Sequence, residues 1–137
     1  MTLAALITRV EQGSGSDRQL DADICVESQW GGPSAVGAVN YDRTRNDCDI
    51  IYVSKDDCSF PFITPNLTSS LDAIGALFKA RLEVAFVTVL DNGPEHDSEC
   101  VVNVWIDELP CSFEARLPDI HRAFLSATLK AIAAKEG

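Results

Sequence analysis

The stretch that decides the fold reads Arg81-Leu-Glu-Val-Ala-Phe-Val-Thr-Val-Leu-Asp91, then Asn92-Gly-Pro-Glu-His-Asp-Ser98, then Glu99-Cys-Val-Val-Asn-Val-Trp-Ile-Asp107, and it continues to Arg116. In both apolar runs, large hydrophobic residues alternate along an extended chain, which is the pattern of β-strands. The loop between them has roughly seven residues and is too long for a tight two-residue turn. We therefore predict a β-hairpin over residues 81–107.

Apolar residues occupy both faces of the predicted hairpin. One face, grouped by alternation, comprises Leu82, Val84, Phe86, Thr88 and Leu90 with Cys100, Val102, Val104 and Ile106. The other comprises Ala85, Val87 and Val89 with Val101 and Trp105. Because both faces are apolar in the middle, we expect each of them to be at least partly covered.

The hairpin stretch also carries most of the surplus charge. Of the net charge of −10, about −8 falls between Leu82 and Ala115, where the sequence has no Lys or Arg. The acids are Glu83, Asp91, Glu95, Asp97, Glu99, Asp107, Glu108 and Glu114. Direct binding to nucleic acid or to an anionic membrane requires clustered cations, so this charge argues against both. A basic protein partner is favoured instead.

Composition indicates one soluble domain. A chain of 137 residues with 46% hydrophobic residues is long enough to bury a core as a single domain, 1–137, without disulfide support. The sequence has no apolar run of about 18 residues and no signal-peptide pattern at its start, so we expect a cytoplasmic protein. Five cysteines at scattered spacings indicate reduced thiols.

Helical periodicity predicts four helices. The first spans 2–12 and ends at Gly13, and the second begins after Asp17 as its N-cap. The third spans 69–79 behind a capping box, and the last begins near Pro118. Its expected apolar face comprises Leu117, Ile120, Phe124, Thr128, Ala131 and Ile132.

The remaining segments complete the predicted fold. Segment 28–61 is expected to be irregular and loop-rich, with one short strand at 50–53, and a further strand is expected at 111–116. The fold class is therefore α+β. We predict a small antiparallel sheet built on the 81–107 hairpin and flanked by helices on both faces, an α/β/α sandwich.

Three blocks of the sequence resemble the phage ABA sandwich domain family. The first block runs from Leu6 to Ile24, and the second is Thr64-Pro-Asn-Leu-Thr-Ser-Ser-Leu-Asp-Ala73. The C-terminal helix is similar to the third block. The chain departs from the family pattern at 78–81, where the family has a Pro-x-Gly-Trp-like turn, and at Leu67, where it has an aromatic residue. The family comprises uncharacterised proteins of phages and of alphaproteobacterial prophages, so the resemblance implies helix–sheet–helix layering and a phage origin.

Side chains that could carry chemistry lack the spacing of known sites. The candidate metal ligands His96, Cys100, Cys111, Cys48 and Cys58 do not form the short-spaced pairs of zinc sites, and Cys100 is better interpreted as a core residue. The acids between Asp42 and Asp57 do not follow the calcium-loop pattern. His96 and His121 adjoin no nucleophile motif. We therefore expect no enzymatic activity, no cofactor and no metal.

The acidic hairpin is the remaining candidate site. Its simplest interpretation is a solubilising edge whose carboxylates prevent strand-to-strand aggregation. Its sharper interpretation is a docking surface that imitates the charge of a nucleic acid and occupies a basic groove on a host protein. The predicted partner-binding residues are Asp91, Glu95, Asp97, Glu99, Trp105, Asp107, Glu108 and Glu114. Trp105 and Trp30 are the candidate aromatic anchors.

These features lead to one preferred function and two alternatives. We predict a phage-derived or prophage-derived, non-enzymatic accessory protein that inhibits a basic host factor in the cytoplasm, with an anti-defence role as the specific hypothesis. The first alternative is a phage structural or assembly protein that self-associates through the hairpin faces and a sheet edge. A small hydrolase is the second. The oligomeric state, including a homodimer, stays open.

Overall fold

The computed structural model describes residues 2–31, 40–45, 47–82, 85–91, 100–106 and 112–136, with the backbone alone for 85–91. These residues form the helices α1 Leu3–Gln12, α2 Arg18–Ser28, α3 Leu71–Arg81 and α4 Ile120–Glu136. They also form the strands β1 Asn40–Tyr41, β2 Ile50–Lys55, β3 Cys58–Ile63, β4 Ala85–Asp91, β5 Cys100–Ile106 and β6 Ser112–Leu117. The strands make two antiparallel sheets, in the orders β1-β2-β3 and β4-β5-β6. The α+β class is confirmed.

The predicted hairpin forms the second sheet. β4 and β5 pair antiparallel along their whole length, and β6 adds on the other side of β5, where a further strand was expected. The predicted grouping of β4 residues with β5 residues on each face of the sheet is wrong, because the two strands pair one residue away from that grouping. The register places Val87 opposite Val104 and Val89 opposite Val102, and directly paired residues share a face of an antiparallel sheet. Alternation along each strand cannot reveal this, because the register depends on the length of the loop between them.

α4 covers one face of the hairpin sheet. It packs against β5 and β6, and the residues of β5 on that side are buried: Cys100, Val102, Val104 and Ile106. On the opposite face of β5, Trp105 is 38% exposed. Among the described residues, the helical cover of this sheet therefore comes from α4 on a single face, which supplies one of the two layers expected.

α4 is the central element of the core. It contacts α1 and α3 as well as β5 and β6. Its buried residues are Ala123, Leu125, Ser126, Ala127, Thr128, Leu129, Ala131 and Ile132. A helix buried on nearly all sides carries small and apolar residues all round, so the single broad face expected for it was too narrow. None of the described helices combines the length and the apolar composition that a membrane crossing requires.

Side-chain caps fix the helix starts. Asp17 caps α2 as predicted, whereas α3, predicted over 69–79, begins at Leu71 with Ser70 as its cap. The Asp17 carboxylate accepts a hydrogen bond from the Leu20 N–H at 3.1 Å, and the Ser70 hydroxyl accepts one from the Ala73 N–H at 3.2 Å. Asp119 does the same for the N–H of His121 at the start of α4, at 2.9 Å. The last helix therefore begins just beyond Pro118, as predicted.

Part of the 28–61 segment forms the first sheet. β2 and β3 are joined by Asp56 and Asp57, whose φ values of 53° and 65° are those of a tight hairpin turn. Ile51 and Val53 are buried, and α2 packs against β2. The segment 28–61, expected to be irregular apart from a strand at 50–53, thus contains β1, β2 and most of β3 in its described part.

A buried arginine joins the first and last helices. The Arg122 side chain is 2% exposed, and its guanidinium donates hydrogen bonds to the carbonyl oxygens of Arg9, Val10 and Gly15 at 2.8–3.3 Å. These carbonyls lie at the C-terminal end of α1 and just beyond it, where a helix leaves carbonyl groups unpaired and carries partial negative charge. A side chain at Gly13 would place its Cβ 2.5 Å from Arg122 Nη1, so glycine leaves room for the guanidinium.

Replacing Arg122 by Met should lower the free energy of unfolding by about 3 kcal/mol, because the guanidinium's hydrogen bonds would be lost, including the buried one to the Val10 carbonyl oxygen. Urea denaturation followed by circular dichroism measures this. The matched control is Arg116→Met on the exposed surface of β6, for which we expect a change within about 0.5 kcal/mol. Equal stability of the two variants would contradict the role given to Arg122.

Candidate functional site

The described part of the predicted site lies on the hairpin sheet. Trp105 is in β5, Glu114 is in β6, and Asp91 ends β4 opposite Cys100. The other predicted partner-binding residues, Glu95, Asp97, Glu99, Asp107 and Glu108, lie outside the described residues. The second candidate anchor, Trp30, is half-buried against the core, so Trp105 is the more accessible of the two tryptophans.

We use the name outer hairpin face for the side of β5 and β6 opposite α4, which comprises Val101, Asn103, Trp105, Ser112, Glu114 and Arg116. Trp105 is its exposed aromatic residue, and Val101, at the other end of the same strand, is buried. On β6 the exposed side chains are polar, and Arg116 Nη2 forms a salt bridge with Glu114 Oε1 at 3.1 Å. An aromatic side chain beside a polar rim is the composition typical of protein–protein interfaces.

Several cations of the chain pair with acids outside the acidic stretch. Ion pairs join Arg9 to Asp23 at 2.6 Å and Lys130 to Glu11 at 3.0 Å. Arg43 likewise pairs with Glu27. Arg81 donates to the carbonyl oxygens of Ser28 and Gln29 at the C-terminal end of α2. These four cations therefore bind groups outside the acidic stretch, whereas Glu114 within that stretch pairs with Arg116.

The exposed apolar residues of β3 are a surface that the sequence reading missed. Ile63 is 83% exposed and Phe60 is 44% exposed. The free edge of this outer strand is interrupted by Pro61, which lies opposite Tyr52. The Tyr52 carbonyl oxygen accepts a hydrogen bond from the Asp42 N–H, so the backbone polar groups of Tyr52 point toward β1. The paired residue Pro61 then points its own backbone groups away from β2, toward the free edge. Because proline has no N–H, the row of donors along that edge has a gap there. The run Phe-Pro-Phe-Ile is the sequence signal that could have revealed this strand.

A buried polar cluster ties the segment before α3 to the start of α2. Asp21 is fully buried and accepts hydrogen bonds from the Thr68 N–H at 2.7 Å and from Arg18 Nη1 at 3.0 Å. Arg18 also donates to the carbonyl oxygen of Thr64 at 2.8 Å. Burial raises the pKa of Asp21, and the hydrogen bonds from Thr68 and the charge of Arg18 partly oppose that rise. The cluster connects two distant segments, so its role is structural.

The two buried cysteines, Cys25 and Cys100, do not have the environment of a nucleophile. Burial, with a further contribution from the charge of Asp21, raises the pKa of Cys25 to about 12, which keeps the thiol protonated. Cys100 is 6% exposed on the sheet face against α4, so its interpretation as a core residue is confirmed.

One group in the described residues places metal-ligating atoms together, namely Asp47, Cys48 and Asp49, whose ligand atoms lie within 4.8 Å of one another. Asp49 is already paired with Arg18 at 3.2 Å. Desolvation and the two flanking carboxylates raise the pKa of Cys48.

The stability that Asp21 confers should depend on pH with a defined sign. Its pKa in the fold is raised above the ordinary value of 3.8, so between the unfolded-state and folded-state pKa values the folded protein holds more protons. We compare the free energy of unfolding of the wild type with that of Asp21→Asn. The wild-type value minus the variant value should fall as pH rises from about 3.8, and it should become constant above the folded-state pKa. Urea denaturation of both proteins across this range measures the difference, and a difference that rises with pH would contradict the raised pKa.

Comparisons of the chain with protein-family models, with curated proteins and with solved structures each find no match.

Proposed function

We propose that the chain is a non-enzymatic accessory protein of a phage or prophage, which acts in the host cytoplasm by binding a basic host protein through its acidic hairpin. The partner that we infer is a nucleic-acid-binding or defence factor whose cationic groove the hairpin occupies as a charge mimic. The phage origin rests on the three blocks of sequence that resemble the phage ABA sandwich domain family.

The observation that carries the proposal is the exposure of Trp105 within the acidic stretch. The indole is 38% exposed on the outer hairpin face, away from α4. Tryptophan is among the residues most enriched at the energetic centres of interfaces, because it combines a large apolar area with few rotatable bonds. Ser112 lies directly opposite Trp105 on β6, and Glu114 and Arg116 follow further along that strand on the same face.

Electrostatics supplies the choice of partner. The sequence between Leu82 and Ala115 has a charge of about −8 and no cation. A surface with this charge accelerates encounters with a cationic groove and disfavours anionic partners, and salt weakens both effects. The predicted contacts to Lys and Arg side chains are those of Asp91, Glu95, Asp97, Glu99, Asp107, Glu108 and Glu114.

Self-assembly is the alternative that a specific observation favours. The exposure of Ile63 and Phe60 on β3 gives the molecule a second apolar surface, as a phage structural protein would need. The gap that Pro61 leaves in the edge of the same strand opposes pairing of that edge with another copy. Light scattering over a range of concentrations separates the two functions, because an open-ended oligomer counts against the inhibitor and a constant mass counts against assembly.

Replacing Asp91, Glu95, Asp97 and Glu99 by their amides should weaken binding to the host partner by about tenfold or more at low salt, because the steering charge is lost. The control variant neutralises four exposed acids elsewhere, Asp47, Asp56, Asp57 and Asp72, and so has the same net charge. Binding of partner isolated from host lysate, measured by calorimetry at low and high salt, gives the affinities. If the two variants bind with equal affinity, the hairpin is not the recognised surface.

Removing the indole of Trp105 tests the anchor separately from the charge. Trp105→Ala should weaken the same complex by about 2 kcal/mol, whereas Trp105→Phe should retain part of the affinity because an aromatic ring remains. Calorimetry with the same partner measures both, and urea denaturation verifies that each variant folds. Unchanged affinity of a folded Trp105→Ala variant would exclude the outer hairpin face as the contact.

A further inference from the structure

The free edge of the hairpin sheet is occupied by a lysine from the central helix. β6 is an outer strand, and an outer strand exposes a row of backbone N–H and C=O groups that can pair with another strand. At the middle of β6, the Glu114 carbonyl oxygen accepts a hydrogen bond from Lys130 Nζ of α4 at 2.9 Å. A charged side chain on an outer strand is one of the ways in which proteins prevent edge-to-edge pairing.

Lys130 is held in this position by the first helix. Its ammonium forms an ion pair with Glu11 Oε2 at 3.0 Å, and the Ser126 hydroxyl donates to the same oxygen at 3.2 Å. The side chains of Lys130 and Glu11 are 30% and 34% exposed, so water reaches the pair and can compete with it. We use the name clasp for the contacts of Lys130 with Glu11 and with the Glu114 carbonyl oxygen. The clasp links α1, α4 and β6, and water can compete for its contacts.

The sequence of β6 suits pairing with the same strand of a second copy. If two β6 strands pair antiparallel about a two-fold axis at Ala115, Glu114 of each copy lies opposite Arg116 of the other. Opposite charges directly across two strands stabilise the pair, and the symmetry supplies this contact twice. The two Glu114–Arg116 salt bridges, one within each copy, would be exchanged for two such bridges between the copies.

We propose that Lys130 blocks the β6 edge. By binding the Glu114 carbonyl oxygen, it prevents β6 from pairing with β6 of a second copy. A dimer forms through this edge when Lys130 is displaced. The contact is made at the backbone edge of β6 and requires no host partner, but it shares Glu114 and Arg116 with the outer hairpin face.

The test compares Lys130→Met with the wild type, with Lys130→Arg, which keeps a charged donor, and with Lys79→Met on the exposed surface of α3. Multi-angle light scattering across a range of concentrations gives the mass of each protein. The mass of Lys130→Met should rise toward twice that of the monomer, and the backbone amides of 112–117 should exchange more slowly as it does. The other three proteins should keep a constant monomeric mass.

Two further variants make the result specific to the edge. Adding Arg116→Glu to Lys130→Met places Glu opposite Glu between the copies and should abolish the dimer, whereas adding Glu114→Arg as well should restore it. If Lys130→Met does not fold, Glu11→Gln, which loosens the clasp and retains Lys130, should give a partial increase in mass. A folded Lys130→Met that stays monomeric at every concentration, or a wild type that already dimerises through β6, would overturn the proposal.

Discussion

The hydrogen bonds of the buried Arg122 guanidinium are the constraint on which the helical core depends. A charged group at 2% exposure is tolerated only when its donors find partners, and here the partners are the carbonyl oxygens at the end of α1. Since Arg122 belongs to the first turn of α4, the contact sets how α1 crosses the helix that packs on the hairpin sheet. The apolar contacts of α4 with its other neighbours then follow from this placement.

The same chemistry recurs at other junctions of the molecule. Arg81 binds the carbonyl oxygens that end α2, and Arg18 binds the carbonyl oxygen of Thr64 while it pairs with the buried Asp21. Arginine suits these positions because one planar group offers several donors at once. Cations used in this way stabilise the interior. The surplus of carboxylates lies in the hairpin stretch, where the proposed partner would supply positive charge.

The outer strands β3 and β6 are protected from pairing with another strand in different ways. β3 is interrupted by a proline whose absent N–H faces outward, so its protection is built into the backbone. β6 has no proline, and its central carbonyl is bound by a side chain that belongs to another element. A backbone gap is permanent, whereas a solvated ammonium can leave. Of these two edges, the β6 edge is therefore the one that can recruit another strand.

The sequence did not reveal β1 or β3, which lie in the segment expected to be irregular. By itself it determined the four helices, the strands β2, β4, β5 and β6, and the location of the surplus charge. These depend on local rules: Asp17 and Ser70 cap the helices that follow them, and alternating apolar residues form β4 and β5. The tertiary structure alone decided the register of the hairpin, the burial of α4 on nearly all sides and the contacts of Arg122, Asp21 and Lys130. Each of these joins residues that are far apart in the chain, Arg122 to Val10 and Asp21 to Thr68 among them, and no local pattern of residues encodes such a pairing. For the candidate site, the sequence located the acidic stretch and named Trp105, but only the packing of α4 on the opposite face determined that this indole is exposed.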